Sequence, residues 1–278
     1  MVTTTIEEDI ARDYAHGALE EAIQAGLRRM GHSGTTVRGE DLVGIDQFHV
    51  GGHQATADLA EQMGLGPGMS VLDIGSGIGG VARFLARHYG CTVVGIDLTP
   101  EYVAVAEALT RLVGPVEGVS FQVASATDLP GGAGRFDAAS MLHVGMNIPD
   151  KDKLCVEVAR ALKPGGRFAI YDVMQVGGNQ LDYPLPWAST AATSFVAEPT
   201  VYRRALEAAG FDILAERNRR EFAVEFFRRV KSRQSESGPP PLGLHILMGA
   251  EAQTKIANLM RNIEIGAIAP IELICRRR

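Results

Sequence analysis

Cysteine and surplus basic charge are both scarce in this chain of 278 residues, and each scarcity closes off a class of protein. The three cysteines, Cys91, Cys155 and Cys275, stand far apart with no C-x-x-C pair, so neither a disulfide framework nor a metal site is expected. A reducing, cytoplasmic compartment fits that usage. Asp and Glu (33) outnumber Lys and Arg (27), a formal net charge of -6. Nucleic-acid binding needs a concentrated basic surface, so the basic clusters at 217–221 and 276–278 read as solvated edges and no nucleic-acid partner is expected. No stretch approaches the roughly 18 consecutive apolar residues of a membrane span. The acidic start, Glu7, Glu8 and Asp9, is wrong for a secretory signal.

What is present is ordinary for a globular protein: 46% hydrophobic and 22% charged residues. Thr4 followed three residues later by Glu7 predicts a capping box. Ile10, Tyr14, Ala18, Ile23, Leu27 and Met30 then recur at helical spacing, predicting one helix to about Met30. The glycine-rich stretch 31–41 reads as a loop, and DQFHVGG (46–52) leads into a helix carrying Ala55, Leu59 and Met63.

From Gly68 strand and helix patterns alternate, as in βαβ units. Strands are expected at 71–74, 92–96, 119–123, 136–142 and 168–173, and helices at 81–89, 100–113 and 150–162, the last stopped by Pro164-Gly165-Gly166. Residues 174–199, with Pro184, Pro186 and the sole tryptophan, Trp187, lose the rhythm and are expected to form a lid. Beyond them helices are expected at 200–209, 222–230 and 252–262, and strands at 211–215 and 271–275.

The stretch with most chemistry is SVLDIGSGIGG, Ser70–Gly80. Gly75, Gly77 and Gly80 satisfy G-x-G-x-x-G, and Gly79 adds a fourth glycine. Taken alone, that spacing also suits an NAD-dependent oxidoreductase. Asp73 argues otherwise: a carboxylate inside an apolar strand is costly unless paired, and it would repel a pyrophosphate at the following helix N-terminus. A cationic ligand without phosphate suits it better.

In motif order the chain resembles the S-adenosylmethionine-dependent methyltransferases of the Rossmann-like class. VLDIGSGIGG is similar to their first motif, VVGIDLT to the second, ASATDLP to the third, FDAASMLHV to the fourth and LKPGGRFAIYD to the segment before the fifth strand. DQFHVGG, LHVGMNIPDK and LGLHILMGAEAQTKIANL look like the small-molecule branch that contains glycine, sarcosine and dimethylglycine N-methyltransferases and quinone and sterol C-methyltransferases.

The resemblance implies a single α/β domain: a doubly wound Rossmann-like sheet with helices on both faces, an N-terminal helical cap (1–66), a cofactor-binding core (67–173), a lid (174–199) and a C-terminal part of the sheet with inserted helices (200–278). It implies S-adenosyl-L-methionine as cofactor, a small-molecule substrate and a metal-independent in-line methyl transfer; a homodimer is an open option. A non-catalytic protein retaining the fold is the other alternative, since fold does not fix function.

Carried over by position, Asp73 lies near the methionine part of the cofactor and Gly75, Gly77 and Gly79 let the backbone approach it. Asp97, about 20 residues beyond Gly75, is the expected ribose carboxylate, with Leu98 against adenine and Ala126 and Thr127 at the adenine edge. Where the family often has an acidic residue in the third motif this chain has Ser125, so the adenine amino group falls to Ser125, to backbone or to Asp128. Gln47, His49 and Leu142 complete the cofactor set, with His49 positioning the cofactor, closing the site or serving only as a structural cap. His143, after the fourth strand, is the candidate catalytic residue: it orients or deprotonates an amine or hydroxyl, or it only hydrogen-bonds a neighbouring loop. Tyr14, Asn147, Asp172, Trp187 and His245 are candidate substrate contacts, each with a packing or capping alternative. The lid holds no arginine, and its apolar content favours a hydrophobic or ring-containing acceptor.

Overall fold

Val71–Ile74 is buried at every residue, as a central parallel strand covered on both faces must be. The computed structural model describes residues 5–15, 17–32, 37–114, 116–238 and 240–278. Strands β1 (Ser70–Ile74), β2 (Thr92–Asp97), β3 (Val119–Val123), β4 (Phe136–Leu142), β5 (Leu162–Gln175), β6 (Phe211–Asn218) and β7 (Ile268–Arg277) form one seven-stranded sheet in the order β3-β2-β1-β4-β5-β7-β6. The first five run parallel, and β7 is antiparallel to both β5 and β6. Strand order reverses between β1 and β4, which opens a crevice at their carboxyl ends.

The helices are α1 (Ile6–Tyr14), α2 (Leu19–Arg29), α3 (Gly52–Met63), α4 (Gly80–Tyr89), α5 (Pro100–Leu112), α6 (Lys151–Ala161), α7 (Pro199–Ala208), α8 (Arg220–Ser237), α9 (His245–Met248) and α10 (Ala252–Glu264). Alternation along each strand divides the core. Leu72, Ile74, Phe168 and Ile170 point to one face and pack with Leu154 and Val158 of α6 and Tyr202 and Leu206 of α7. Val71, Ala169 and Tyr171 point to the other and pack with Leu59 of α3 and Leu85 of α4. Helices therefore cover both faces, as expected for the Rossmann-like sheet. A third cluster joins Ile23 and Leu27 of α2, Leu42 and Ile45 to Tyr102, Val105 and Leu109 of α5.

The cap is anchored through a buried ion pair. Asp46 meets Arg83 of α4, whose guanidinium also donates to the carbonyls of Ile78 (2.8 Å) and Ala106 (3.3 Å) and to the Thr110 hydroxyl (2.9 Å). Gly80 lets the segment pass: a Cβ there would run into the Asp46 carbonyl.

Three expectations change. The single helix to Met30 is two helices, because the Glu101 carboxylate on α5 takes the Gly17 and Leu19 N–H groups, each at 3.0 Å, and turns the chain between them. The described capping box pairs Thr5 with Glu8; the expected Thr4–Glu7 pairing lies outside the described residues, as do residues 33–36 of the expected loop and Pro239. Strand β5 begins at Leu162, so Lys163–Gly166 belongs to the strand rather than to a stop before it. Helix α8 runs to Ser237, well past the expected 222–230. Among the described residues, no helix is long and apolar enough to cross a membrane.

Candidate functional site

The loops that leave β1, β2, β3 and β4 at their carboxyl ends floor a cavity of about 1840 Å³. Its roof comes from α1, from the segment 43–54 and from α8 to α10. The expected lid contributes only Pro186 and Trp187. That segment is a packed wall: Trp187 is buried and donates through Nε1 to the Ser194 hydroxyl (3.0 Å), while Asp182 exchanges two 3.0 Å hydrogen bonds with Asn262 of α10.

The four glycines after β1 do different work. Gly75 (φ +68°) turns under Val144, and Gly79 (φ +86°) lies against Phe121 and Arg83, so both serve packing. Gly79 is not among the residues that line the cavity, contrary to its expected cofactor role. Gly80, the third glycine of the motif, faces Asp46. Only Gly77 (φ +53°) has open space where a Cβ would be, and it lines the cavity. Gly77→Val is therefore expected to cost about 1–2 kcal/mol of stability from the left-handed backbone and to abolish ligand binding, whereas Gly80→Val is expected to lower the melting temperature first. Thermal unfolding with and without ligand separates the two.

The cavity's polar atoms are poorly partnered from within the protein. Asp73 accepts the Ser140 hydroxyl on Oδ1 (2.9 Å), but its buried Oδ2 has no partner, and the same holds for Gln47 Nε2, Ser76 Oγ and Asn147 Oδ1. All four residues line the cavity. Burial pushes the Asp73 carboxyl up to about 7 despite the Ser140 hydrogen bond, with the charge of Asp97 adding to the rise. Asp97 is also raised, by burial first, although Gly77 N–H (2.9 Å) and Thr99 N–H (2.9 Å) each donate to one of its oxygens. Those two N–H groups fix the carboxylate plane at the end of β2, and the Thr99 side chain and the Leu98 N–H also act to hold the rise back.

His143 sits in the left-handed region (φ +55°), the one described non-glycine residue to do so. Its Nδ1 faces the Tyr171 carbonyl (3.2 Å) and its Nε2 faces the Val50 N–H (3.4 Å), a pairing that selects the Nδ1–H tautomer. Burial above all, then the neighbouring His49, pushes its pKa down to about 3. His49, held by the Gly52 carbonyl and the Thr56 hydroxyl, is pushed down to about 4, again chiefly by burial. The Thr56 hydroxyl in turn donates to Gln47 (2.7 Å). The two rings, 5.9 Å apart, form a neutral wall of the cavity.

At the opposite end Ser125 and Thr127 lie beyond β3, with Ala126 buried between them. Neither hydroxyl is free: Ser125 Oγ donates to Glu7 Oε1 at 2.7 Å and Thr127 Oγ1 to the same oxygen at 3.3 Å. Tyr14, at the end of α1, accepts a hydrogen bond from Asn147 (2.9 Å), and burial raises its phenol far above the ordinary value. The structure thus gathers Tyr14, Gln47, His49, Asp73, Gly75, Gly77, Asp97, Leu98, Ser125, Ala126, Thr127, Leu142, His143, Asn147, Trp187 and His245 around one space, the last exposed at its rim.

Asp172 is corrected: it is not a cavity residue. Fully buried beneath the 145–147 turn, it accepts the Tyr202 hydroxyl (2.5 Å) and the Val173 N–H (3.0 Å), and burial holds it at about 6. Sequence reasoning missed Glu7 and the apolar roof of Phe226, Phe227, Val230, Ile256 and Met260. The i, i+4 spacing of Phe226 with Val230 and of Ile256 with Met260 was the available signal for the roof.

Residues 72–170 match the family model described as a methyltransferase domain. The methyltransferase GfsG of Streptomyces halstedii is 36% identical over 137 residues, 49% of this chain and 49% of that protein. The 2-methyl-6-phytyl-1,4-hydroquinone methyltransferase of Synechocystis is 34% identical over 154 residues, 55% of this chain and 46% of the relative. The matches thus span about half the length of these curated relatives. Among solved structures, Haemonchus contortus phosphoethanolamine N-methyltransferase 2 in complex with S-adenosyl-L-methionine superposes with a TM-score of 0.75 at 18% identity, covering 100% of this chain and 60% of that one. Geranyl diphosphate C-methyltransferase of Streptomyces coelicolor gives 0.71 at 19% identity over 99% of both chains. At such identities the structural likeness is one of fold. Sequence match and strand order agree on the same segment, and from Leu72 to Ile170 the chain is a methyltransferase domain.

Proposed function

We propose that the protein transfers a methyl group from S-adenosyl-L-methionine to an apolar small-molecule acceptor. The observation that carries this reading is the unpartnered, buried Asp73 carboxylate facing the same cavity as the open backbone at Gly77 and the doubly anchored Asp97. Asp73 suits a ligand ammonium, Gly77 leaves room for close approach, and the carboxylate oxygens of Asp97 suit a pair of ribose hydroxyls. A pyrophosphate would meet the Asp73 carboxylate without a cation to offset it, which weighs against a nicotinamide dinucleotide.

The cofactor supplies an activated methyl group on a sulfonium. The protein's own part is alignment and exclusion of water. Cap residues 43–54 and α1 close over the floor, and the neutral wall of His49 and His143 fixes one side of the acceptor's space. With pKa values pushed down to about 4 and about 3, these imidazoles are weak bases. His143 accordingly positions rather than deprotonates, and the acceptor is one that reacts as its anion, such as a hydroquinonate or an enolate, so that taking CH3+ from the sulfonium leaves two neutral products and no proton for the imidazole to accept. The apolar roof from α8 and α10 binds its hydrophobic body. Support comes from the Synechocystis relative, named for a phytyl hydroquinone.

The test is a mass-spectrometric screen with S-adenosyl-L-methionine against amines, phenols, hydroquinones with and without prenyl tails, and enols. The reading expects a mono-methylated product from a tailed hydroquinone or enol and none from short polar amines; methylation confined to the amines would contradict it.

A further inference from the structure

The base-binding end of the cavity carries a carboxylate that the third motif does not supply. We infer that Glu7 is the acceptor for the exocyclic amino group of the cofactor's adenine, and so selects adenine over other bases. The inference rests on the cofactor proposed above and assigns one of its contacts to a residue far outside the motif order.

Four observations converge. First, Glu7 lines the cavity, and its Oε1 takes the hydroxyl protons of Ser125 and Thr127, which stand 118 and 120 residues away in the chain. Ser125 Oγ also accepts the Thr127 N–H at 3.1 Å, so its own acceptor capacity is partly spent. Second, Glu7 Oε2 has no hydrogen-bond partner among the described residues, which leaves a carboxylate acceptor in place where the third-motif residues that line the cavity offer only engaged hydroxyls, Asp128 not being among them. Third, the location is right: Ala124 N–H bonds the Asp97 carbonyl at 3.0 Å, so Ser125 and Glu7 lie immediately beyond the ribose carboxylate. Fourth, Glu7 is held from both ends of its helix. The Thr5–Glu8 capping box fixes the start of α1, and the Tyr14–Asn147 hydrogen bond fixes its end. Glu7, Ile10 and Tyr14, at i, i+3 and i+7, all line the cavity, so one face of α1 closes over it.

The chemistry makes the role specific. A carboxylate accepts from the amino group of adenine but repels the 6-oxo group of hypoxanthine, and a site built to hydrogen-bond one group rejects the analogue that cannot answer it.

The experiment is calorimetric titration of S-adenosylhomocysteine and of its 6-oxo analogue, S-inosylhomocysteine, into the wild type, Glu7→Gln and Glu7→Ala, each checked for folding by thermal unfolding. The wild type is expected to prefer the adenine ligand by roughly tenfold to a hundredfold. In Glu7→Ala the preference should shrink to within about threefold, and in Glu7→Gln, whose amide can donate to the 6-oxo group, it should vanish or reverse. Equal weakening of both ligands in Glu7→Ala would mean that Glu7 only holds α1 and would overturn the inference, as would an unchanged preference in both variants. Failure of the wild type to bind either ligand would remove the cofactor reading itself, a result distinct from those two.

Discussion

Asp97→Ala is expected to weaken S-adenosylhomocysteine binding by about a hundredfold or more, because two charge-assisted hydrogen bonds of roughly 1.5–3 kcal/mol each are lost together. The change in stability should be far smaller. Removing the carboxylate strands the Gly77 and Thr99 N–H groups, but it also removes a charge whose pKa burial has already raised, and these effects oppose one another. Asp97→Asn keeps one acceptor oxygen in the same plane and should fall between the two. Titration calorimetry alongside thermal unfolding checks the split. A large drop in melting temperature with intact affinity would assign Asp97 to the fold instead of the ligand.

Arg83→Met should be the most destabilising single substitution near the site, at about 3–5 kcal/mol, because it leaves Asp46 buried without its cation. Burial already raises the Asp46 carboxyl, and Arg83 is what holds it back. Without the guanidinium the acid would take up a proton and the 43–54 segment would lose its tie to α4. For a chain of this size the loss corresponds to a fall in melting temperature of roughly 10 °C. Coupling makes the prediction specific: adding Asp46→Asn to Arg83→Met should recover part of the loss, since the unpaired charge is then gone. A double variant as unstable as the sum of the singles would show that the pair contributes no more than separate contacts.

The parallel core was legible because β1, β2 and β4 are short and mostly apolar, with β1 running into glycine and β2 ending on an acid, a local pattern that motif order turns into topology. Asp73, Asp97 and the loop after β3 could be placed for that reason. What escaped was set by contacts distant in sequence. Nothing local in HGALE announces that Glu101 will capture the Gly17 and Leu19 N–H groups and split the first helix. The same applies to Glu7, which reads as a first-turn helix acid until α1 lays it on Ser125. Asp172 looked available at a strand end because its Tyr202 partner sits on α7, 30 residues later. The glycine motif misled in a finer way. Its spacing suggested several backbones open to ligand, yet Gly75, Gly79 and Gly80 are required by Val144, Phe121 and Asp46, and of the two that line the cavity, Gly75 and Gly77, only Gly77 has open space where a Cβ would be.

The most direct test of a cation-binding Asp73 is S-adenosyl-L-methionine binding followed by calorimetry from about pH 5 to about pH 8 in buffers of different ionisation enthalpy. The sign follows from the raised pKa. With an ordinary value near 4 lifted to about 7 by burial, Asp73 in the free protein holds a proton below about 7, and an ammonium ligand must displace it. Affinity should therefore climb by up to about tenfold per pH unit toward 7 and then level, with about one proton released per ligand on the acid side. Asp73→Asn should bind weakly and without that slope. Affinity flat across the range with no proton released, or no binding at any pH, would contradict the assignment.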